Sequence, residues 1–200
     1  MIIGITGSSG AGKSTVAEIL ENQYHAKTIM ADKIAKTLSK KGSHYLNEIV
    51  ENFGTCILQS NGELNRKKLA NLIYHNVEKR NTLNSCTLKY IVQEIKEEIQ
   101  NLKRENTYQL IALDAPLLFE ANLDQMCDTT IAVISSNRET QLKRIMERDT
   151  ISLEHAIARL NAQHSNSFYK ENCQYTIIND GNVENIKEQL DRILGNILDR

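Results

Sequence analysis

Ile2-Ile3-Gly4-Ile5-Thr6-Gly7-Ser8-Ser9-Gly10-Ala11-Gly12-Lys13-Ser14-Thr15 is the stretch that decides the fold. Residues 2–6 are nearly continuous in apolar and β-branched types, as a strand buried on both faces reads. Residues 7–14 satisfy G-x-x-x-x-G-K-[ST] at every position, between that strand and a helical pattern over residues 15–21. Glycines let the backbone bend until successive N–H groups point at phosphate oxygens, and the helix N-terminus adds positive potential. Lys13 is expected to reach β- and γ-phosphates and Ser14 to hold Mg²⁺. The competing reading is a Gly/Ser-rich turn that matches by chance, and the strand–loop–helix context argues against it.

Outward from this loop, further apolar runs recur at residues 110–113, 130–134 and 175–178, with a weaker one at 28–31. Helical patterns fill the gaps. Asn182 is a plausible N-cap for a helix whose stripe is Val183, Ile186, Leu190, Ile193, Leu194 and Ile197. The alternation predicts an α/β fold, a parallel five-stranded sheet with helices on both faces, of the P-loop nucleotide-kinase type. Residues from about 33 to 105 are mostly helical in pattern and too many for a simple crossover. They are expected to form an inserted acceptor-binding lobe within one domain of residues 1–200, with a lid at about 138–165.

The chain has 200 residues, a formal net charge of −1, 40% hydrophobic and 24% charged residues. That is an ordinary globular composition, and the near-neutral balance argues against a dedicated nucleic-acid binder. No run approaches the roughly 18 apolar residues that span a bilayer, so no membrane partner is expected. The N-terminus lacks a basic n-region and a long h-region, and a cytoplasmic location is expected. Cys56, Cys86, Cys127 and Cys173 form no C-x-x-C pair and read as reduced structural thiols. His25, His44, His75, His155 and His164 show no catalytic or metal-ligand spacing and read as surface or helix residues.

Three further acidic and basic features point at transfer chemistry. Asp114 follows Leu110-Ile111-Ala112-Leu113, where it could act on Mg²⁺ directly or through water; its other reading is a cap before Pro116. Asp32 follows the run at residues 28–31 and precedes Ile34, Ala35 and Leu38. It reads either as a helix N-cap or as the base that takes a proton from an acceptor hydroxyl. Arg144 and Arg148 share a face of the helix expected over Arg138–Asp149, roughly opposite Leu142, Ile145 and Met146. They read as a solvated basic face or as a mobile lid closing over ATP. Arg159 and Gln163, read as an i, i+4 pair on the next helix, could complete that lid.

With these residues assembled, the chain resembles the dephospho-CoA kinases, which use ATP to phosphorylate the 3′-hydroxyl of dephospho-CoA in the last step of coenzyme A synthesis. The resemblance starts at residues 6–15 and continues through Ala31-Asp32-Lys33-Ile34-Ala35, where Asp32 matches the acidic base. Phe53-Gly54 and Gly62-Glu63-Leu64-Asn65-Arg66 are similar to the acceptor-lobe signature, with Arg66 at the substrate-facing position. Pro116-Leu117-Leu118-Phe119-Glu120 is the most specific match after the loop. Gln141-Leu142-Lys143-Arg144, Arg148-Asp149, Arg159 with Gln163, and Asn179-x-Gly181 are similar to the lid and adenine-side elements. The resemblance thus implies catalysis by Asp32, Lys13 and Arg144. It implies ATP binding by Gly7, Gly10, Ala11, Gly12, Lys13, Ser14, Thr15, Arg144, Arg148, Asn179 and Gly181. The acceptor would meet Asp32, Arg66, Leu118, Phe119 and Glu120, and Mg²⁺ would meet Ser14 and Asp114.

Departures fall outside the ATP-binding residues. Met30 stands where the family usually has a second aspartate, Leu88-Lys89 where it has His-Pro, Tyr169 where a basic residue is expected, and Cys173-Gln174 where Ala-Asp is. They leave open a nucleoside monophosphate or other small-molecule kinase, and a non-catalytic ATP-binding protein. A GTP-dependent switch is disfavoured, because the guanine-reading N-K-x-D is missing from the sequence.

Overall fold

All five residues of strand β1 (Ile2–Thr6) are buried, as their apolar run requires. The computed structural model describes residues 1–198. In chain order β1 is followed by α1 (Lys13–Tyr24), β2 (Lys27–Met30), α2 (Ala31–Leu38), α3 (His44–Phe53), α4 (Arg66–Tyr74), α5 (Val77–Glu105) and β3 (Ile111–Asp114). Then come β4 (Thr129–Ser135), α6 (Arg138–Asp149), α7 (Leu153–Asn161), α8 (Asn166–Asn172), β5 (Tyr175–Asn179) and α9 (Val183–Leu198). Two compact units emerge, Met1–Ile29 with Asn106–Arg200, and Met30–Glu105.

In the first unit the strands form a parallel sheet in the order β2-β3-β1-β4-β5, with Ile5 beside Asp114 on one side and Ile131 on the other. Alternation along the strands serves two faces. Ile3, Ile5, Ile131, Val133 and Ile177 pack with Val16 and Leu20 of α1 and Ile186 and Leu190 of α9. Ala132 and Ile134 point the other way and pack with Tyr169 of α8. Helices therefore cover both faces, as expected. Asn182 caps α9 by accepting from Glu184 N at 3.0 Å. Ile186, Leu190, Ile193 and Leu194 are buried, contributing roughly 1.5–3 kcal/mol each. Val183 heads the stripe but is exposed, because it lies in the first turn, short of the sheet.

The ends of β2 and β3 differ from expectation. Leu110 precedes β3 and Asp114 closes it, while Ala31 opens α2 rather than ending β2. The β3 shift comes from pairing: Met1 O accepts from Ile111 N and Ile5 O from Ala115 N, which places that strand one residue later.

In the second unit α2, α3 and α4 each pack on the long α5. Ile91, Ile95 and Ile99 of α5 are buried, as are Leu46 and Ile49 of α3. All four cysteines are free thiols. Burial pushes Cys127 up to about 12 and Cys173 to about 11, so both are protonated and inert at neutral pH. Among the described residues no helix is long and apolar enough to cross a membrane.

Candidate active site

The loop between β1 and α1 is shaped by three glycines at positive φ: Gly7 at 140°, Gly10 at 73° and Gly12 at 103°. Neighbours close off the space a side chain would need. A Cβ would sit 2.2 Å from Val133 O at Gly7 and 2.0 Å from Asn179 Nδ2 at Gly12. Gly12→Ala is therefore expected to cost about 2–4 kcal/mol in urea unfolding and to abolish ATP binding in titration calorimetry. A variant that folds and binds as wild type would refute this reading of the loop.

Helices α3, α4, α6, α7 and α8 each begin with a side chain that accepts a first-turn N–H: Ser43, Asn65, Asn137, Ser152 and Ser165. Helix α1 begins on Gly12 with no side-chain cap and no acidic residue in its first turn. Its amides and its positive end are left for an anion. Lys13 folds back over the loop, its Nζ donating to Gly7 O at 2.8 Å and Ser8 O at 3.2 Å. Ser14 is exposed and Thr15 half-buried at the same helix end.

Helices α6 and α7 pack against each other through Ile145, Ala156 and Leu160. Arg144 is half-buried, and its Nη1 is buried with no hydrogen-bond partner. Its Nη2 lies 3.7 Å from where a Gly181 Cβ would be, so Gly181, at φ 99°, leaves it room. This corrects the solvated-face reading for Arg144. Arg148 is exposed; its Nη2 donates to Ser9 Oγ at 3.1 Å and to Asp149 Oδ2 at 2.8 Å. Asp149 also accepts from Arg159 Nη1, so one carboxylate ties the two arginines together. Gln163 lies beyond the end of α7, not on it as expected, and its Oε1 accepts from Ser9 N at 2.8 Å. Asn179 is buried, donating to Ala11 O at 2.8 Å and accepting from Gly181 N at 2.9 Å. Its polar atoms brace the loop.

Burial works to raise the Asp149 carboxyl, but the hydrogen bond from Arg148 and the charges of Arg159 and Arg148 outweigh it and hold it below its ordinary 3.8. A depressed carboxylate contributes stability that is present above its ordinary value and lost as pH falls through the lowered one. Asp149→Asn is thus expected to lower Tm at pH 7, and the difference should close below pH 3.8. A difference that stays constant down to acid pH would contradict the linkage.

Asp114 is half-buried at the carboxyl end of β3, beside Ile5 of the strand that feeds the loop. Beyond it, Leu118 is fully buried beneath Gly4, where a Cβ would sit 3.2 Å from its Cδ2. Leu118 anchors the segment that carries Phe119 and Glu120. Phe119 meets the Phe168 ring edge-on at 5.5 Å. Glu120 lies 3.3 Å from His164, which stacks on Phe168 at 3.7 Å. His164, read from sequence as a surface or helix residue, is exposed and touches this element.

In the second unit Asp32 is exposed in the first turn of α2, whose N-cap is Met30. Asp32 is inside the helix, so the N-cap reading is corrected. Arg66 opens α4, its Nη2 donating to Ser39 Oγ and to Lys36 O at 3.4 Å. Ser39 is itself buried and donates to Lys36 O at 2.9 Å. Burial pushes the Tyr45 hydroxyl above its ordinary range; a hydrogen bond with Thr87 and the charge of Arg66 oppose that, and the charge of Asp32 adds to it. The charges of Arg66 and Asp32 are thus both felt at the Tyr45 hydroxyl.

The departures are built into the structure. Lys89 pairs with Glu48 at 2.5 Å and links α5 to α3. Tyr169 is buried against the sheet. Gln174 accepts from Thr130 N and Oγ1, both at 2.6 Å.

A phosphate loop after the central strand of a parallel sheet, with arginines of a helical pair beside it, defines a P-loop phosphotransferase. The dephospho-CoA kinase (CoaE) family model matches residues 1–185. The chain is 40% identical to a dephospho-CoA kinase of Fusobacterium nucleatum, covering 96% of each, and 38% identical to one of Bacillus cereus, covering 100% of this chain and 99% of that one. Its fold is similar to a solved dephospho-CoA kinase from Campylobacter jejuni, with TM-score 0.64, 30% identity, and 98% and 96% of the two chains covered. The chain belongs to the dephospho-CoA kinase family, and it is a kinase.

Proposed function

We propose that the chain transfers the γ-phosphoryl group of ATP to the 3′-hydroxyl of dephospho-CoA, giving ADP and CoA in the last step of coenzyme A synthesis. The observation that carries it is the uncapped α1 N-terminus behind left-handed glycines, in a chain that matches the family across residues 1–185. The acceptor oxygen bonds to the γ-phosphorus as the bond to the β,γ-bridging oxygen breaks, and ADP leaves. Residues 7, 10 and 11–15 hold the phosphates through backbone amides and Lys13. Arg144 and Arg148 close on them from the lid, residues 138–165, and Arg144 offsets charge that develops during transfer. Asn179 and Gly181 act by shaping the loop and the space for Arg144.

Residues 33–105 form the acceptor lobe in this reading. Asp32 takes the proton that the 3′-hydroxyl loses; support comes from its exposed carboxylate directly after β2. Arg66 meets an anionic oxygen of the acceptor, and its hold on buried Ser39 fixes it in advance. Phe119 and Glu120, anchored by Leu118, complete the acceptor contacts. Ser14 and Asp114 supply a hydroxyl and a carboxylate, the hard oxygen donors that suit Mg²⁺. A Mg²⁺ held there with ATP would supply positive charge against the phosphate oxygens. Free thiols fit a reducing cytoplasm as the place of action.

The test is a coupled ADP-release assay with dephospho-CoA and a panel of nucleoside monophosphates. Turnover with dephospho-CoA alone is expected. Turnover of a monophosphate without dephospho-CoA activity would reject the reading.

A further inference from the structure

An anion cradle needs its amides turned inward, so its carbonyls must turn outward and be fastened there. Five of the carbonyls of residues 7–12 are fastened by donors. Gly7 O and Ser8 O accept from Lys13, Ser9 O from Gln141, Ala11 O from Asn179 and Gly12 O from Val16 N. Lys13 belongs to the loop itself, and Asn179 comes from the neighbouring strand. Gln141 comes from the lid helix.

Gln141 is buried, 5% exposed, and its Nε2 donates at 2.7 Å both to Ser8 Oγ and to Ser9 O. A long polar side chain is rarely buried without such partners. The other side of Ser9 is held too, its N–H by Gln163 Oε1 at 2.8 Å. Two carboxamides, one donating and one accepting, thus grip the peptide groups of a single loop residue. Backbone packing seals the joint: a Cβ on Gly10 would lie 2.8 Å from Gln141 O and 2.9 Å from Ile145 Cγ1.

We propose that Gln141 and Gln163 are positioning residues that clamp Ser8 and Ser9, so that the amides downstream are preset for ATP phosphates and the first turn of α6 is bolted to the loop. Gln141, Arg144 and Arg148 lie three and four residues apart on one helix face. Lid movement must therefore pivot beyond the first turn of α6, and that turn stays registered to the loop while Arg144 and Arg148 swing beyond it. The proposal rests on the reading that this loop holds ATP.

The experiment measures ATP affinity by titration calorimetry, and KM and kcat for both substrates, in the full chain. Gln141→Leu should weaken ATP binding about tenfold, because Ser9 O loses its partner and two hydrogen bonds go. Gln163→Leu and Ser8→Ala should each weaken it about threefold, one bond apiece. KM for ATP should rise more than kcat falls, with KM for dephospho-CoA within about twofold of wild type. Ser8→Ala with Gln141→Leu should be no weaker than Gln141→Leu alone, since both remove the same bond. A merely structural role would lower Tm without that split or that non-additivity. Lys13→Ala separates the two levels: if it binds ATP as tightly as wild type, the phosphate-loop reading fails. If Lys13→Ala loses binding while Gln141→Leu keeps it, the clamp alone is overturned. Should Gln141→Leu not fold, wild-type ATP affinity in both Gln163→Leu and Ser8→Ala overturns it.

Discussion

Asp32→Asn is expected to lower kcat for dephospho-CoA phosphorylation by about 10²–10⁴-fold, with ATP affinity within about twofold of wild type. The substitution keeps the size and reach of the side chain and removes its negative charge, and with it the ability to take a proton. ATP affinity should survive because the groups proposed to hold phosphate are Lys13 and the loop's backbone amides, none of which Asp32 supplies. A second, smaller effect accompanies it. Asp32 is the acidic residue in the first turn of α2, where a carboxylate offsets the helix dipole by roughly 0.3–1 kcal/mol. A slight fall in Tm is therefore expected and cannot account for a hundredfold loss of rate. Steady-state kinetics beside ATP titration checks both parts. A kcat within threefold of wild type would remove Asp32 from the chemistry.

Arg144→Leu should separate activity from stability in the opposite way. A buried nitrogen without a hydrogen-bond partner costs about 1–3 kcal/mol, and Arg144 Nη1 is such an atom. A donor held unsatisfied in this way, with Gly181 clearing space beside it, is explained if a ligand anion completes it. Removing the guanidinium should then cost about 10³-fold or more in kcat, the scale of an arginine that stabilises the transferring phosphoryl group. Leucine keeps the apolar stem without the orphaned donor, so Tm should hold or rise. A variant with a lowered Tm and near-normal turnover would mark Arg144 as a structural arginine.

Much of the architecture was legible because short-range chemistry determines it. β1 and its loop are read from an apolar run and three glycines, each of which proves to need its positive φ. The α9 stripe is read from spacing, and Asn182 from its place before it. What sequence left open depends on partners far along the chain. Asp32 read as a cap when taken alone and as a base beside the loop, until Met30 took the cap position. Gln163 was paired with Arg159 by counting four residues, but α7 ends at Asn161, so its side chain is free to turn to Ser9. Gln141 carried no pattern of its own, and its role comes from a loop 132 residues away. Its sequence signal was only that it opened a stretch similar to the family's lid. His164 lacked any ligand spacing, and its stacking on Phe168 is set by the turn between α7 and α8. Tyr169 and Gln174, odd as members of a basic or acidic position, make sense once the sheet is seen behind them.

Identifying the phosphorylated oxygen decides the function most directly. Purified protein, ATP and Mg²⁺ are incubated with dephospho-CoA, and the product is followed by phosphorus NMR and by mass spectrometry against CoA. A new 3′-phosphomonoester resonance, matching CoA and formed in step with ADP, is the outcome required. ADP release without CoA, or a phosphate on any other oxygen, would contradict it.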